Sequence, residues 1–399
     1  MQNKNLIIET EAFSNEMQLL FLCSIKDLST EQEEKIRKII KAGINWELFL
    51  QIVKKHRIYM LVYNNLTKIK IVDVDERALK TLQQINQQKV MQSVKLAGEL
   101  VRLARLLNNN GIRALSLKGP LLAREIYGDI AFRYSKDLDI IIAEQDLEKT
   151  DKLLLANGFK NADMEINLSP KQKAHIIKTN HHFVYQKPGG IIIELHWRDN
   201  SESTKFQFDK LWFKRRELIL SGQSINVLSA EDEFIYLLIH GAIHGYTRLR
   251  WLCDIAEIIK KDQLSWNEII NKATGMNIME VLVQTVILCE SLLSVNIPEA
   301  LKAPLAGNKL GKKMAIKAIP LIIETDEDAF LPGQPLNMHL RKYTLLRSKG
   351  IKSKLNYLIA RFYPGLIDYE TIDFSDRFFF MYYITRPFFK IQRMMNKSS

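Results

Sequence analysis

Apolar positions recur at helical spacing towards both ends of the chain and in short continuous runs between them. Leu96, Leu100, Leu103 and Leu107 follow i, i+4, i+7 and i+11, one stripe of a helix that Asn108-Asn109-Asn110-Gly111 stops. Upstream, STEQEEKIRKIIKAG opens with Ser29 or Thr30 followed by acids, a capping signal, and ends at Gly43. Residues 1 to about 110 are thus predicted to be helical. The pattern then changes. IRALSL (112–117) is strand-like, Lys118-Gly119-Pro120 is a turn, and LLAREIYG predicts a short helix closed by Gly128. LDIIIA (138–143) is an apolar run of strand length, and DLEKTDKLLLANGF an amphipathic helix ending at Asn157-Gly158. HHFVYQ and GIIIELHW flank Lys187-Pro188-Gly189-Gly190, a hairpin signal.

From about residue 205 helical periodicity returns, as in AEDEFIYLLIHGAIHG and MEVLVQTVILCESLLS. Pro298, Pro304, Pro320, Pro332 and Pro335 predict breaks and loops across 298–340. The fold class expected is α+β. A small mixed β-sheet core (111–204) follows an N-terminal helical region (1–110) and precedes a large C-terminal helical region (205–399).

Composition narrows the class. At 399 residues the chain exceeds one domain of ~150 residues, and 47% hydrophobic with 26% charged residues excludes wholesale disorder. Cys23, Cys253 and Cys289 are too far apart for a disulfide framework or a CxxC zinc site, and fit a reducing compartment. The first residues lack the apolar stretch of a signal peptide, and no apolar run reaches the ~18 residues of a membrane span. A cytoplasmic protein is expected. The net charge of +12 implies an anionic partner of unspecified kind. Residues 341–399 carry twelve Lys and Arg against Asp368, Glu370, Asp373 and Asp376, so most of the excess lies there.

The sharpest chemistry is Asp137-Leu138-Asp139 with Glu194. Residues two apart on a strand share a face, so Asp137 and Asp139 can project together while Leu138 faces the core. Glu194 interrupts the apolar strand IIIELHW, and a neighbouring strand could bring it to the pair. Clustered carboxylates repel unless a divalent cation intervenes, and hard oxygen ligands favour Mg²⁺ or Mn²⁺. A D-x-D pair alone is common at strand ends, and a lone glutamate can serve as a lysine's cross-strand partner. Upstream, Gly119 lies between a strand and a helix, where backbone N–H groups can cradle phosphate, with Lys118 and Arg133 flanking the loop.

These residues together resemble a known family. LSLKGPLLAREIYGDIAFRYSKDLDIIIAEQDLEKTDKLLLANGF followed by IIIELHW is similar to the uncharacterised nucleotidyltransferase family of the DNA polymerase β-like superfold. Lys118, Gly119, Tyr127, Arg133, Ser135, Asp137, Asp139, Gly158, Phe159, Glu194, His196 and Trp197 carry the likeness, with a second block in LIHGAIHGYTRLRWLCDIAEII (238–259). Proline replaces the superfold's small hydroxyl residue after Gly119, and the spacer from Pro120 to Asp137 is longer than usual.

The resemblance implies transfer of a nucleotidyl group from a Mg²⁺-bound NTP to an acceptor hydroxyl, with pyrophosphate released. It makes Asp137 and Asp139 metal ligands and Glu194 a third ligand or the general base. Lys118, Gly119, Arg133, Ser135 and His196 become substrate contacts. His244, Arg248, Arg250, Trp251 and Asp254 would wall an acceptor or base pocket, against a plainer reading in which Trp251 and His240 pack in the core and Asp254 pairs with an arginine.

His240 and His244 stand i, i+4, yet a zincin needs Glu at 241 and this chain has Gly, which excludes a metalloprotease. His181-His182, ahead of the Glu194 hairpin, are further candidates to reach the site. RFFFMYYITRPFFKIQRMM (377–395) reads either as a helix packed on the body of the protein or as an interfacial segment at an anionic lipid surface. A non-catalytic nucleotide-binding or antitoxin-like module with the same fold is the alternative to an enzyme. No helix-turn-helix, RNP or zinc-finger signature supports specific nucleic-acid binding.

Overall fold

The computed structural model describes residues 8–69, 74–163, 168–198, 207–326 and 334–395. Pro332, the first seven residues and the last four therefore lie outside the described residues. The chain divides into two compact units, each assembled from separated stretches. Unit 1 comprises Met1–Gly98, Lys118–Ser135 and Leu228–Arg347; unit 2 comprises Glu99–Leu117, Lys136–Val227 and Ser348–Ser399. No described helix is long and apolar enough to cross a membrane.

Unit 1 is helical. The helix Met279–Leu293 buries Val281, Leu282, Val283, Val286, Ile287 and Leu288, and a helix apolar all round belongs in a core. Helix Lys309–Ile323 packs on it at Gly311, where an added Cβ would stand 2.6 Å from Val283 Cγ1. The prolines behave differently from expectation. Pro304 and Pro320 lie inside the helices Glu299–Gly307 and Lys309–Ile323, and Pro335 opens the helix Pro335–Arg347. An interior proline costs about 3 kcal/mol. Burial of Leu321 and Ile322 beside Pro320, and of Leu301 in the shorter helix, offsets that cost.

His56, at the end of helix Trp46–His56, is buried and its Nδ1 accepts the Leu249 N–H at 2.9 Å. Burial, with Lys55 and Arg248 adding repulsion, holds this imidazole well below its ordinary value of 6.5. The native state therefore keeps His56 neutral where the unfolded chain protonates it. Stability from this group is complete above pH 6.5 and declines as pH falls, by up to about 1.4 kcal/mol per pH unit. Urea titrations between pH 7 and pH 5 should show the decline, and His56→Gln should flatten it. An equally steep curve in the variant would show that another group governs it.

Unit 2 holds a seven-stranded mixed sheet in the order β3-β4-β5-β2-β1-β7-β6. The strands are β1 (Ala114–Ser116), β2 (Leu138–Ile142), β3 (Lys160–Asn161), β4 (His182–Lys187), β5 (Ile191–His196), β6 (Arg216–Leu220) and β7 (Gln223–Val227). β2 runs antiparallel to β1 and parallel to β5. As the central strand it is buried throughout, which explains its unbroken apolar run apart from Asp139. The α+β class with a small mixed sheet is as the sequence predicts. The hairpin β6–β7 is not, since helix was expected from about residue 205. Ser221 and Gly222, at φ +48° and +77°, supply the left-handed pair that a two-residue turn needs.

Candidate functional site

Strand pairing assembles the acidic centre within unit 2. β2 and β5 are in register with Asp139 opposite Glu194, and β4 places Val184 on the far side of Glu194. Residues opposite one another share a face, so both carboxylates project from the same side of the sheet. His196, two residues beyond Glu194, joins that face. Its Nε2 lies 3.3 Å from Asp139 Oδ1 and 3.6 Å from Glu194 Oε2. Asp139 is buried and Glu194 half-buried. Asp139, Glu194 and His196 each offer a ligand atom within 4.8 Å of the others. A buried carboxylate beside a second one needs compensation, and this donor set fits a divalent cation. Asp137 is half-buried at the bend before β2 and lies outside that trio.

Two further histidines reach the same end of the sheet. His182 pairs across the strands with His196, their ring centroids 5.0 Å apart, and His181 stacks edge-on against His182 at 4.3 Å. Burial and the neighbouring His196 hold the His182 imidazole below its ordinary value, against an upward pull from Glu194.

The other predicted residues belong to unit 1: Lys118, Gly119, Arg133, Ser135, His244 and Arg250. Gly119 precedes helix Pro120–Tyr127 with φ +89° and ψ −148°, a conformation essentially reserved for glycine. Pro120 is the first helical residue, where its missing N–H costs nothing. Gly119→Ala is expected to lower stability by about 1–3 kcal/mol. Thermal unfolding checks this, and an unchanged midpoint would place the strain elsewhere.

Lys118 is buried, with Nζ 3.5 Å from His240 Nε2. Arg133 is buried as well; its Nε donates to Asp254 Oδ2 at 2.7 Å and its Nη1 to Ser135 Oγ at 2.8 Å. Tyr127 donates to the other Asp254 oxygen at 3.2 Å. Arg133 and Ser135 are thus joined in an internal network anchored by Asp254, a residue placed in the acceptor pocket by family likeness and paired with an arginine on the plainer reading.

Arg250 is buried and Nη1 donates to the Tyr134 carbonyl at 2.8 Å. Trp251 is buried, stacked on exposed His244 at 5.0 Å and edge-on to His240 at 5.5 Å. Gly241, where a zincin carries glutamate, lies under the Tyr246 ring; an added Cβ would stand 2.3 Å from Tyr246 Cε1. That close approach explains the glycine.

Strand order and register thus bring two carboxylates together on one face of a mixed sheet. The family described as uncharacterised nucleotidyltransferase matches residues 42–294. The chain belongs to that family. Among solved structures, it is similar to an antigenic nucleotidyltransferase-like protein from Paracoccidioides brasiliensis. That likeness has 19% identity and a TM-score of 0.33, and covers 51% of this chain and 93% of the other. No curated protein matches the chain.

Proposed function

We propose that this chain is a divalent-metal-dependent nucleotidyltransferase that moves a nucleoside monophosphate group from an NTP to an acceptor hydroxyl. The reading is carried by Asp139 and Glu194, opposite one another on parallel strands with His196 within 3.6 Å of both. In the reaction the acceptor oxygen forms a bond to the α-phosphorus as the bond to pyrophosphate breaks, and the hydroxyl proton passes to a base. Asp139 and Glu194, with Asp137 just upstream, would hold Mg²⁺ or Mn²⁺. A bound divalent ion neutralises phosphoryl charge and aligns attacking and departing oxygens. Glu194, more exposed than Asp139, either completes the metal's shell or accepts the hydroxyl proton.

The test is a panel of NTPs labelled at the α-phosphate, incubated with Mg²⁺ or Mn²⁺ and a cell extract. Label should pass to a product whose size reveals the acceptor class. NTP binding without transfer would favour a non-catalytic module, and absence of both would overturn the reading.

The C-terminal part of unit 2 supports a partner of a different kind, an anionic lipid surface. Helix Met381–Met395 buries Tyr382 against Gln172, whose Nε2 donates to its hydroxyl at 2.8 Å. Its opposite side is apolar yet exposed: Ile384, Phe388 and Ile391 follow i, i+4 and i+7, with Phe380 at i−4 just ahead of the helix. Ile351, Leu355, Leu358 and Phe362 make a second exposed stripe, with Lys352 and Lys354 exposed beside it. Apolar stripes with basic neighbours are the composition of interfacial helices. The protein is expected to co-sediment with phosphatidylglycerol vesicles. A Phe380→Ser/Ile384→Ser/Phe388→Ser variant should bind at least about tenfold more weakly, each lost side chain being worth roughly 1.5 kcal/mol or more. Equal sedimentation of both proteins would refute the contact.

A further inference from the structure

We infer that His181, His182 and His196 form a second metal site, sharing His196 with the carboxylate group and suited to a borderline transition ion such as Zn²⁺. Each offers a nitrogen within 4.8 Å of the other two. Ring centroids lie 4.3 Å apart for His181 and His182, 5.0 Å for His182 and His196, and 5.9 Å for His181 and His196. The backbone ladder holds the cluster. His182 and His196 are direct partners of the β4–β5 pair, and the Trp197 N–H donates to the His181 carbonyl at 3.1 Å. Strand pairing therefore fixes residues on both strands before any ligand arrives, the condition for a preformed site.

A second observation points to a ligand. His182 Nδ1 is buried and has no hydrogen-bond partner among the described residues. An imidazole kept for packing normally turns its buried nitrogen to a carbonyl or hydroxyl, because leaving it unsatisfied costs about 1–3 kcal/mol. A metal bond would satisfy it.

The donor set selects the ion. Imidazole nitrogens suit Zn²⁺, whereas the oxygens of Asp139 and Glu194 suit Mg²⁺ or Mn²⁺. Three protein ligands with room for a fourth are the pattern of an open zinc site. Asp139, 3.3 Å from His196 Nε2, supplies the carboxylate that commonly orients a ligating imidazole. Because the three histidines suffice as ligands, the inference stands whether or not the chain transfers nucleotides.

The test uses the full chain stripped of metal, titrated with Zn²⁺ against a chromophoric chelator and separately with Co²⁺ followed by visible absorption. One equivalent of Zn²⁺ should bind, and Co²⁺ should give the d–d bands of a low-coordinate ion. His181→Ala and His182→Gln should each weaken Zn²⁺ by on the order of 100-fold or more, beyond the 10- to 100-fold typical of losing an outer-shell partner. Mn²⁺ affinity, read by electron paramagnetic resonance, should stay within about twofold. Circular dichroism and melting curves establish that the variants are folded; if His182→Gln is not, His181→Ala carries the test. Zn²⁺ affinity unchanged in the folded histidine variants, or no stoichiometric binding by the parent protein, would overturn the assignment. So would a loss confined to Asp139→Asn and Glu194→Gln, which would move the ion to the carboxylates.

Discussion

Asp139→Asn is expected to abolish metal-dependent NTP binding and to reduce transfer by roughly a thousandfold or more, equivalent to about 4 kcal/mol of transition-state stabilisation. Asparagine preserves shape, so strand β2 should be retained while the buried anionic ligand is lost. Asp139 is 3% exposed, and its carboxylate faces His196 and the equally placed Glu194. A charge so buried needs compensating partners, and a bound divalent cation would be one. Asp137→Ala is expected to show the same loss of binding through the upstream carboxylate. Calorimetry of Mg·NTP binding decides the matter. Parent-like affinity in both folded variants would sink the assignment.

The second large effect is on stability. Arg133→Ala should destabilise the protein by about 3–5 kcal/mol, because Asp254 would be left buried without its main cation. The side chains of the pair are 3% and 1% exposed, joined at 2.7 Å, and buttressed by Tyr127 and Ser135. The Arg133→Met/Asp254→Leu double variant should recover much of the loss, since it removes both charges and keeps apolar volume. Urea unfolding reads both. An Arg133→Ala protein of parent-like stability that no longer binds NTP would instead make the guanidinium a substrate contact.

Much of this was legible in the chain itself. LDIIIA and GIIIELHW announced β2 and β5 by length and apolarity, and the Pro188-Gly189-Gly190 turn joined β4 to β5, with both glycines at positive φ. An acid in each apolar run was the signal for the carboxylate pair, because charge is costly on a buried strand. What the sequence could not supply was register. Whether Glu194 stood opposite Asp139 or a residue away depended on pairing between residues 55 apart in the chain. The β6–β7 hairpin was obscured because its turn, Ser221-Gly222, lies in a short polar run rather than an Asn-Gly signature. Arg133 lies in a family motif, which favours reading it as a ligand contact. Its partner Asp254 is far along the chain, and local pattern says nothing about such a pairing.

That separation has a consequence for biosynthesis. Arg133 leaves the ribosome 121 residues ahead of Asp254. At 5–20 residues per second the interval is roughly 6 to 24 s. During it, the segment 118–135 has been made while Leu228–Arg347, the largest later part of its unit, is still being translated. A nascent chain arrested before residue 254 should therefore be cleaved by trypsin at Arg133, and one released after unit 1 is complete should resist.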